Sequence, residues 1–299
     1  MPNLGPEHIR GSFCALVTPF NDGAVDVRAY SALVDWHLAE GTHGLVPCGT
    51  TAESPTLSED EQDALIATCV ERAGGKVPVI AGTGTNSTAF SIKRTRRAEE
   101  LGADAVMLVG PYYNKPTQEG LYQHFKAIAA ETSLPVLLYN VPGRTVTNIS
   151  VDTIARLSEI PNIVGVKDAT ADLARVTRQR AACGNDFIQL SGEDATALAF
   201  NSVGGVGCIS VTANVAPGLC AQMQNASLRG DTETAMAIQD KLIELHDAIF
   251  LEASPSPVKY AMSVLGKCDE QVRLPLVPPT EATRVRVRKA MQTAGLIDG

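Results

Sequence analysis

Lys167 ends a short segment whose preceding apolar residues predict burial in the protein interior. The segment NIVGVKDAT begins at residue 162 and places Lys167, and then Asp168, directly after β-branched side chains. Burial disfavours the ammonium form and lowers the pKa of a lysine, so that a fraction of it is free amine. A free amine attacks a carbonyl carbon and forms a Schiff base. The simpler alternative is a lysine that extends to the surface and pairs with Asp168.

Other polar positions could serve the same chemistry. Tyr139 ends the apolar run LPVLLYN, where its phenol could relay protons. Thr50 and Thr51 lie in a glycine-led turn whose N–H groups and hydroxyls suit a small carboxylate, and Arg144 suits a second one. A core tyrosine, ordinary turn chemistry and a surface salt bridge explain each residue alone. Together they predict a site that activates a keto acid and binds another acid.

Short apolar runs recur along the chain and are continuous rather than alternating, as expected for strands covered on both faces. In such a fold the chemistry lies at the carboxyl ends of the strands. The eight runs are GSFCALVTP from residue 11, HGLVPCG from 43, VPVIAG from 77, ADAVMLVG from 103, LPVLLYN from 134, NIVGVKD from 162, DFIQLSG from 186 and GVGCIS from 205.

Helix signals fill the gaps between these runs. Ser58 and Glu61 form a capping-box pattern, Ser150 is a predicted N-cap, and Pro217 opens another helix. No GxGxxG motif opens a helix, which disfavours a doubly wound open sheet, the alternative fold. We therefore predict a (β/α)8 TIM barrel over residues 1–230, with a C-terminal helical extension over 231–299 packed on it.

Composition narrows the class of protein. The net charge of −8 disfavours nucleic acid or an anionic membrane as a partner. The seven cysteines contain no CxxC pair and the five histidines no HExxH, so we expect neither a disulfide framework nor a metal site. We see no signal peptide and no membrane-spanning run, and we expect a cytoplasmic enzyme with reduced thiols.

The chain resembles the pyruvate-dependent class I aldolase superfamily that includes N-acetylneuraminate lyase and, within it, the dihydrodipicolinate synthase family. The motifs GTTAESPTL, PYYNKP, YNVPGRT, GVKDAT and GGVGCISVTANV stand in family order, and the resemblance runs from about residue 11 to 296. YNVPGRT, with Arg144, indicates the synthase. An aldolase or dehydratase of a sugar-derived keto acid on the same scaffold is the alternative. A non-catalytic barrel that binds a keto or amino acid is a remote one.

The resemblance implies roles for four catalytic residues. Lys167 forms the imine with pyruvate, and Tyr139 donates and accepts protons. Thr50 and Tyr113 complete the proton relay, with Tyr113 reaching into the site of a neighbouring subunit. No cofactor is implied beyond the covalent imine on Lys167, and the implied assembly is a homotetramer made of two tight dimers.

The resemblance also implies how the substrates bind. Thr51, Ile209 and Gly192 contact pyruvate, and Arg144 binds the carboxylate of L-aspartate 4-semialdehyde. The enamine formed from pyruvate attacks the aldehyde, and the product cyclises to 4-hydroxy-tetrahydrodipicolinate, a step in diaminopimelate and lysine biosynthesis.

A regulatory site for lysine near the dimer interface, common in this family, is degenerate in the sequence. Asn86 and Tyr112 match the family pattern, whereas Glu59 and Gln62 stand where lysine-sensitive bacterial enzymes often carry histidine. Phe90 replaces the glutamate that holds the ammonium group of the effector. An ammonium left without a carboxylate is disfavoured, so we predict weak inhibition by lysine or none.

Overall fold

Eight parallel strands form the centre of the computed structural model, which describes residues 4–298. The strands are β1 Gly11–Ala15, β2 Gly44–Val46, β3 Ile80–Gly82, β4 Ala105–Val109, β5 Val136–Asn140, β6 Ile163–Asp168, β7 Ile188–Ser191 and β8 Gly207–Ser210. They pair in the order β2–β1–β8–β7–β6–β5–β4–β3, and a bridge between Leu45 and Val79 joins β2 to the residue before β3. The sheet therefore closes into a ring, and the predicted (β/α)8 barrel is confirmed.

In the described chain one α-helix of six residues or more follows each barrel strand, and three more follow the barrel. The barrel helices are α1 Val27–Ala39, α2 Glu59–Ala73, α3 Thr88–Glu100, α4 Gln118–Ala129, α5 Val151–Ser158, α6 Leu173–Cys183, α7 Ala197–Ser202 and α8 Pro217–Leu228. The later helices are α9 Thr232–Ala248, α10 Ser256–Val264 and α11 Glu281–Thr293. Shorter elements are a hairpin of Phe20–Asn21 with Ala24–Val25, a helical turn at Pro142–Thr145, and 3-10 turns at Pro6–His8, Ser54–Thr56 and Thr212–Asn214.

The helix-start signals in the sequence mark real caps. Ser58 Oγ accepts the N–H of Glu61 at 3.2 Å, and Glu61 Oε2 accepts the N–H of Ser58 at 2.9 Å. Ser150 caps α5, and Pro217 occupies the first turn of α8. These short-range contacts satisfy N–H groups that a helix start leaves free, so the residues concerned can be read from the sequence.

Alternate strand residues face opposite sides of the barrel wall. Leu137 and Tyr139 of β5 belong to a buried cluster that contains no residue of α1–α11, whereas Leu138 packs in the cluster that includes the helices. Leu137 and Tyr139 therefore point into the barrel. Register pairs Tyr139 with Lys167 and Leu138 with Val166, so Lys167 shares the inner face with Tyr139 at the carboxyl end of the strands.

The C-terminal helices pack on the barrel through its last helix. α9 lies against α8, and α11 lies against α9 and α10. The predicted domain boundary at residue 231 stays a prediction. Residues 1–3 and 299, which the predicted ranges include, lie outside the described residues. Within the described part, no helix is long and apolar enough to cross a membrane.

A buried ion pair ties α10 to the turn after β2. Lys259 and Glu53 are 0% and 3% exposed, and Lys259 Nζ lies 3.0 Å from Glu53 Oε1 and 2.8 Å from the carbonyl oxygen of Thr18. Glu53 Oε2 accepts the N–H of Arg273 at 2.9 Å. Burial lowers the pKa of Lys259, and the Glu53 carboxylate opposes that shift. The extension thus holds the end of the segment that carries Thr50.

Lys259→Met is expected to lower the free energy of unfolding by roughly 3–5 kcal/mol, because Glu53 then keeps a buried charge without a counterion. Denaturant unfolding measures the change. Lys93→Met, which removes a largely exposed partner of Glu59, is the matched control and should cost less than about 1 kcal/mol. Adding Glu53→Gln to Lys259→Met should cost less than the sum of the single changes. Equal effects of Lys259→Met and Lys93→Met would contradict the prediction.

Candidate active site

Lys167 and Tyr139 meet at the carboxyl ends of neighbouring strands. Each side chain is 5% exposed, and Lys167 Nζ lies 4.2 Å from the centroid of the Tyr139 ring. The two residues are direct partners in the β5–β6 register, so the backbone pairing itself brings them together. An amine held against an aromatic face, next to a phenol, has both a nucleophile and a proton carrier in one place.

Asp168, the nearest carboxylate in sequence, is bound to other partners. Its Oδ2 accepts Arg175 Nε and Gln179 Nε2, both at 2.9 Å, and its Oδ1 accepts the N–H of Thr170 at 3.0 Å. Across residues 4–298, no carboxylate oxygen lies within 4 Å of Lys167 Nζ. The alternative in which Lys167 extends to the surface and pairs with Asp168 is therefore wrong.

Gly192 leaves room for the lysine side chain. It follows β7, and its N–H donates to the carbonyl oxygen of Asp168 at 2.7 Å. A Cβ atom at this position would lie 2.6 Å from Ala169 Cβ and 3.1 Å from Lys167 Cε. Because the loop is pinned to β6, neither contact relaxes freely. The predicted site residue Gly192 thus lies directly beside Lys167.

Thr50 and Thr51 lie in the tight turn after β2. Backbone bonds from Ala52 to Gly49 at 3.2 Å and from Glu53 to Thr50 at 3.1 Å hold the turn. Thr51 is buried and Thr50 is half-buried. None of the hydrogen bonds that hold this turn uses either threonine hydroxyl. The turn therefore presents two hydroxyls on a fixed backbone.

A cavity of about 520 Å³ opens above these residues. Thr50, Tyr139 and Arg144 lie on its wall, so the structure brings these three predicted residues together. Arg144 belongs to the helical turn Pro142–Thr145 and is exposed, with no carboxylate within 4 Å of its guanidinium in the described chain. A surface salt bridge, the alternative role for Arg144, is thus not formed. Its fork of N–H donors remains free for an anion.

Ile209 and Tyr113 lie in opposite surroundings. Ile209 is fully buried on β8, in the same inner cluster as Tyr139. Tyr113 is 90% exposed, has a φ of 70° and is not on the cavity wall. One chain therefore does not bring Tyr113 to Lys167, and the role of Tyr113 in a neighbouring subunit stays a prediction.

Two acidic residues after β7 were missed at the sequence level. Asp194 is buried, and its carboxylate accepts Ser210 Oγ and the N–H groups of Val211 at 2.9 Å and Thr212 at 3.2 Å. It therefore fixes the end of β8, directly after Ile209. Glu193 is half-buried, and burial and Asp194 raise its pKa, whereas Lys167 and Arg144 oppose the shift. The only sequence signal was the acidic pair in SGEDA after a predicted strand.

Most of the predicted regulatory residues line the same cavity. Gln62, Asn86, Phe90 and Tyr112 lie on its wall. Glu59 does not line the cavity, and its carboxylate pairs with Lys93 Nζ at 2.6 Å. No aspartate or glutamate among residues 4–298 lines the cavity. The wall therefore offers no carboxylate to the ammonium group of a lysine effector.

The geometry defines a barrel enzyme of the lysine-dependent aldolase type. A buried amine lies against the Tyr139 ring, and this tyrosine and a free arginine line one cavity at the carboxyl ends of the strands, although Lys167 itself is not on the cavity wall. In the described chain, no group of three or more His, Cys, Asp or Glu residues is arranged to hold a metal ion.

Comparison with known proteins identifies the family. The family model described as the dihydrodipicolinate synthetase family matches residues 8–294, and the chain belongs to that family. Proteins named 4-hydroxy-tetrahydrodipicolinate synthase from Rhodospirillum centenum and Bradyrhizobium diazoefficiens are 61% and 58% identical to it, over 96% and 97% of this chain and 99% and 98% of theirs. The predicted family is therefore confirmed.

Solved structures agree with the sequence relatives. The chloride-inhibited dihydrodipicolinate synthase from Acinetobacter baumannii, complexed with pyruvate, is 46% identical with a TM-score of 0.95 and covers 97% of this chain and 100% of its own. The Aquifex aeolicus enzyme is 42% identical with a TM-score of 0.94, covering 96% and 99%. These identities support the fold over nearly the whole chain.

Gly192→Ala is expected to lower turnover in the reaction after which the relatives are named by about tenfold or more. The added methyl group displaces Lys167 or the loop after β7, and such overpacking costs roughly 1–3 kcal/mol. Steady-state kinetics and denaturant unfolding measure the two effects. Gly143→Ala is the control, because a Cβ there meets nothing within 4 Å. Wild-type turnover in a folded Gly192→Ala protein would contradict the assignment of Gly192.

Proposed function

We propose that the chain condenses pyruvate with L-aspartate 4-semialdehyde to give 4-hydroxy-tetrahydrodipicolinate, the activity after which its relatives are named. The observation that carries the proposal is the buried amine of Lys167, which lies against Tyr139 and has no carboxylate partner in the described chain. An amine in that position is suited to imine formation, because no carboxylate occupies it and a phenol lies beside it.

Lys167 and Tyr139 carry the first half of the reaction. The amine attacks C2 of pyruvate, and the resulting carbinolamine loses water to form the imine. Tyr139 moves the protons that these steps require, since its ring contacts the amine. Loss of a proton from C3 of the imine then gives the enamine nucleophile. Thr50, on the same cavity wall as Tyr139, extends the proton path.

The second half joins the two substrates. C3 of the enamine attacks the aldehyde carbon, and the new hydroxyl takes up a proton. The amino group that came with the aldehyde then attacks the imine carbon, which closes the ring and releases Lys167. The fork of Arg144 binds the carboxylate of this second substrate at the mouth of the cavity. Thr51, Ile209 and Gly192 form the pyruvate end of the site.

The assembly and location are part of the proposal. We infer a homotetramer built from two tight dimers, in which Tyr113 completes the proton path of a neighbouring subunit. Its 90% exposure and φ of 70° support that role, because they hold an aromatic ring away from its own chain. We also infer a cytoplasmic enzyme that needs no external cofactor.

Borohydride reduction in the presence of pyruvate is expected to attach the pyruvyl group to Lys167, because reduction converts the imine into a stable amine. Peptide mass spectrometry locates the adduct. Lys259 is the comparison within the same protein: it is also buried, but it is paired with Glu53 and should remain unlabelled. Lys167→Ala should abolish labelling. An adduct on any other lysine, or none on the wild-type protein, would rule out the mechanism.

Arg144→Ala is expected to raise KM for L-aspartate 4-semialdehyde and to lower turnover. Loss of a charge-assisted hydrogen bond costs about 1.5–3 kcal/mol, or roughly 10- to 150-fold in kcat/KM. Arg156→Ala, on the outer surface, is the control and should change little. Trapping of pyruvate by borohydride should survive in Arg144→Ala. Loss of trapping in a folded variant would show that Arg144 binds pyruvate instead.

A further inference from the structure

The side chain of Arg144 depends on its own backbone for its position. The residue is exposed, and within residues 4–298 its guanidinium forms no hydrogen bond and no ion pair. Its backbone N–H donates to the carbonyl oxygen of Val141 at 2.9 Å, at the start of the helical turn Pro142–Thr145. The contacts that fix residues 141–149, here called the Arg144 loop, therefore also fix where the guanidinium lies on the cavity wall.

One buried side chain closes the Arg144 loop onto the strand from which the loop starts. Asn140 directly follows Tyr139 at the end of β5 and is 1% exposed. Its Oδ1 accepts the N–H of Ile149 at 3.0 Å, and its Nδ2 donates to Asn148 Oδ1 at 2.9 Å. Because a backbone N–H can only donate, the bond to Ile149 fixes the orientation of the amide. A single side chain thus joins both ends of the loop.

The returning end of the loop is also bonded from the helix layer. Arg175 Nη2 donates to the carbonyl oxygen of Ile149 at 2.8 Å. Gln118 Nε2 donates to the carbonyl oxygen of Asn148 at 2.8 Å. Ile149 is fully buried, and Asn140 and Arg175 supply the partners of its N–H and its carbonyl. Loss of the Asn140 amide leaves the Ile149 N–H buried and unpaired, a cost that the loop relieves by moving.

We propose that Asn140 is a positioning residue, which sets the place of Arg144 by closing the loop that carries it. The inference rests on the proposed function, because it concerns the group that binds the carboxylate of the second substrate. Successive residues of a strand face opposite sides, so Asn140 points away from the inner face that Tyr139 shares with Lys167. Asn140 therefore acts on the binding of the aldehyde and not on formation of the imine.

Steady-state kinetics of Asn140→Ala with both substrates test this role. We expect KM for L-aspartate 4-semialdehyde to rise by about tenfold, because its carboxylate loses a well-placed guanidinium, while KM for pyruvate stays within about twofold. Trapping of pyruvate on Lys167 by borohydride should survive.

Asn162→Ala is the matched control. Asn162 lies before β6, at the amino ends of the strands. Its Nδ2 donates to the carbonyl oxygens of Ala129 at 2.9 Å and Thr132 at 3.1 Å, so the variant loses comparable loop contacts far from Arg144. It should leave KM for the aldehyde unchanged. An equal rise of KM in Asn140→Ala and Asn162→Ala, or no rise in either, overturns the inference.

A double variant separates positioning from a merely structural role. If Asn140 acts through Arg144, adding Asn140→Ala to Arg144→Ala changes kcat/KM for the aldehyde by no more than about twofold, since the group that Asn140 places is already absent. Independent effects would instead multiply. A multiplied loss in the double variant overturns the inference.

Limited proteolysis reports on the loop without any turnover. Trypsin cleaves after arginine in segments that open, so the rate of the cut after Arg144 follows how often the loop opens. We expect Asn140→Ala to raise this rate by about tenfold over the wild type, and Asn162→Ala to leave it unchanged. Mass spectrometry of the fragments identifies the bond, and Arg144→Ala should abolish the cut. An unchanged rate in Asn140→Ala overturns the inference.

Failure of the inference and failure of the proposed function give different results. A wild-type protein that does not turn over the two substrates refutes the proposed function, and proteolysis then decides whether Asn140 holds the Arg144 loop. If Asn140→Ala does not fold by circular dichroism, Asn148→Ala replaces it, because Asn148 is exposed and its side chain gives up only the bond from Asn140. Asn148→Ala should change KM and proteolysis in the same direction, and no change in either overturns the inference.

Discussion

The active site depends on which side chains bind the carboxylate of Asp168. Arg175 and Gln179 of α6 both bind its carboxylate, which directs Asp168 outward to the helix layer and leaves the adjacent Lys167 inside without a carboxylate. Successive residues of a strand face opposite sides, so one peptide unit separates a satisfied buried anion from an unpaired buried amine. Had both side chains faced the same side, they would have been placed to form an ordinary ion pair.

The rest of the barrel positions groups around that amine. Register places Tyr139 against Lys167, and the buried pair of Glu53 with Lys259 anchors the turn that carries Thr50. The turn that carries Thr50 is thus held by a contact between two residues, Glu53 and Lys259, that are 206 positions apart in the chain. The C-terminal helices therefore support the catalytic turn as well as covering the barrel.

The charged residues on the cavity wall differ in sign from the carboxylates that lie beside it. Two carboxylates of α2 are bound to cations of α3, Glu59 to Lys93 and Asp63 to Arg94 and Arg97. The wall has two arginines, Arg94 and Arg144, and no acid among the described residues. We expect a cavity of that kind to favour anions such as the two carboxylate substrates proposed here, and to disfavour a lysine effector.

The sequence by itself determined the eight strands, the helix caps, the family and the enzyme class, all of which rest on local patterns or short motifs and are confirmed. It also placed Lys167, Tyr139, Thr50 and Arg144 at strand ends, because a parallel barrel gathers those ends at one face. Only the tertiary structure decided that Asp168 turns away from Lys167 to bind Arg175 and Gln179, and that Glu53 pairs with Lys259. Those outcomes depend on contacts between side chains of elements that are separate in the chain, and no local sequence pattern encodes such contacts.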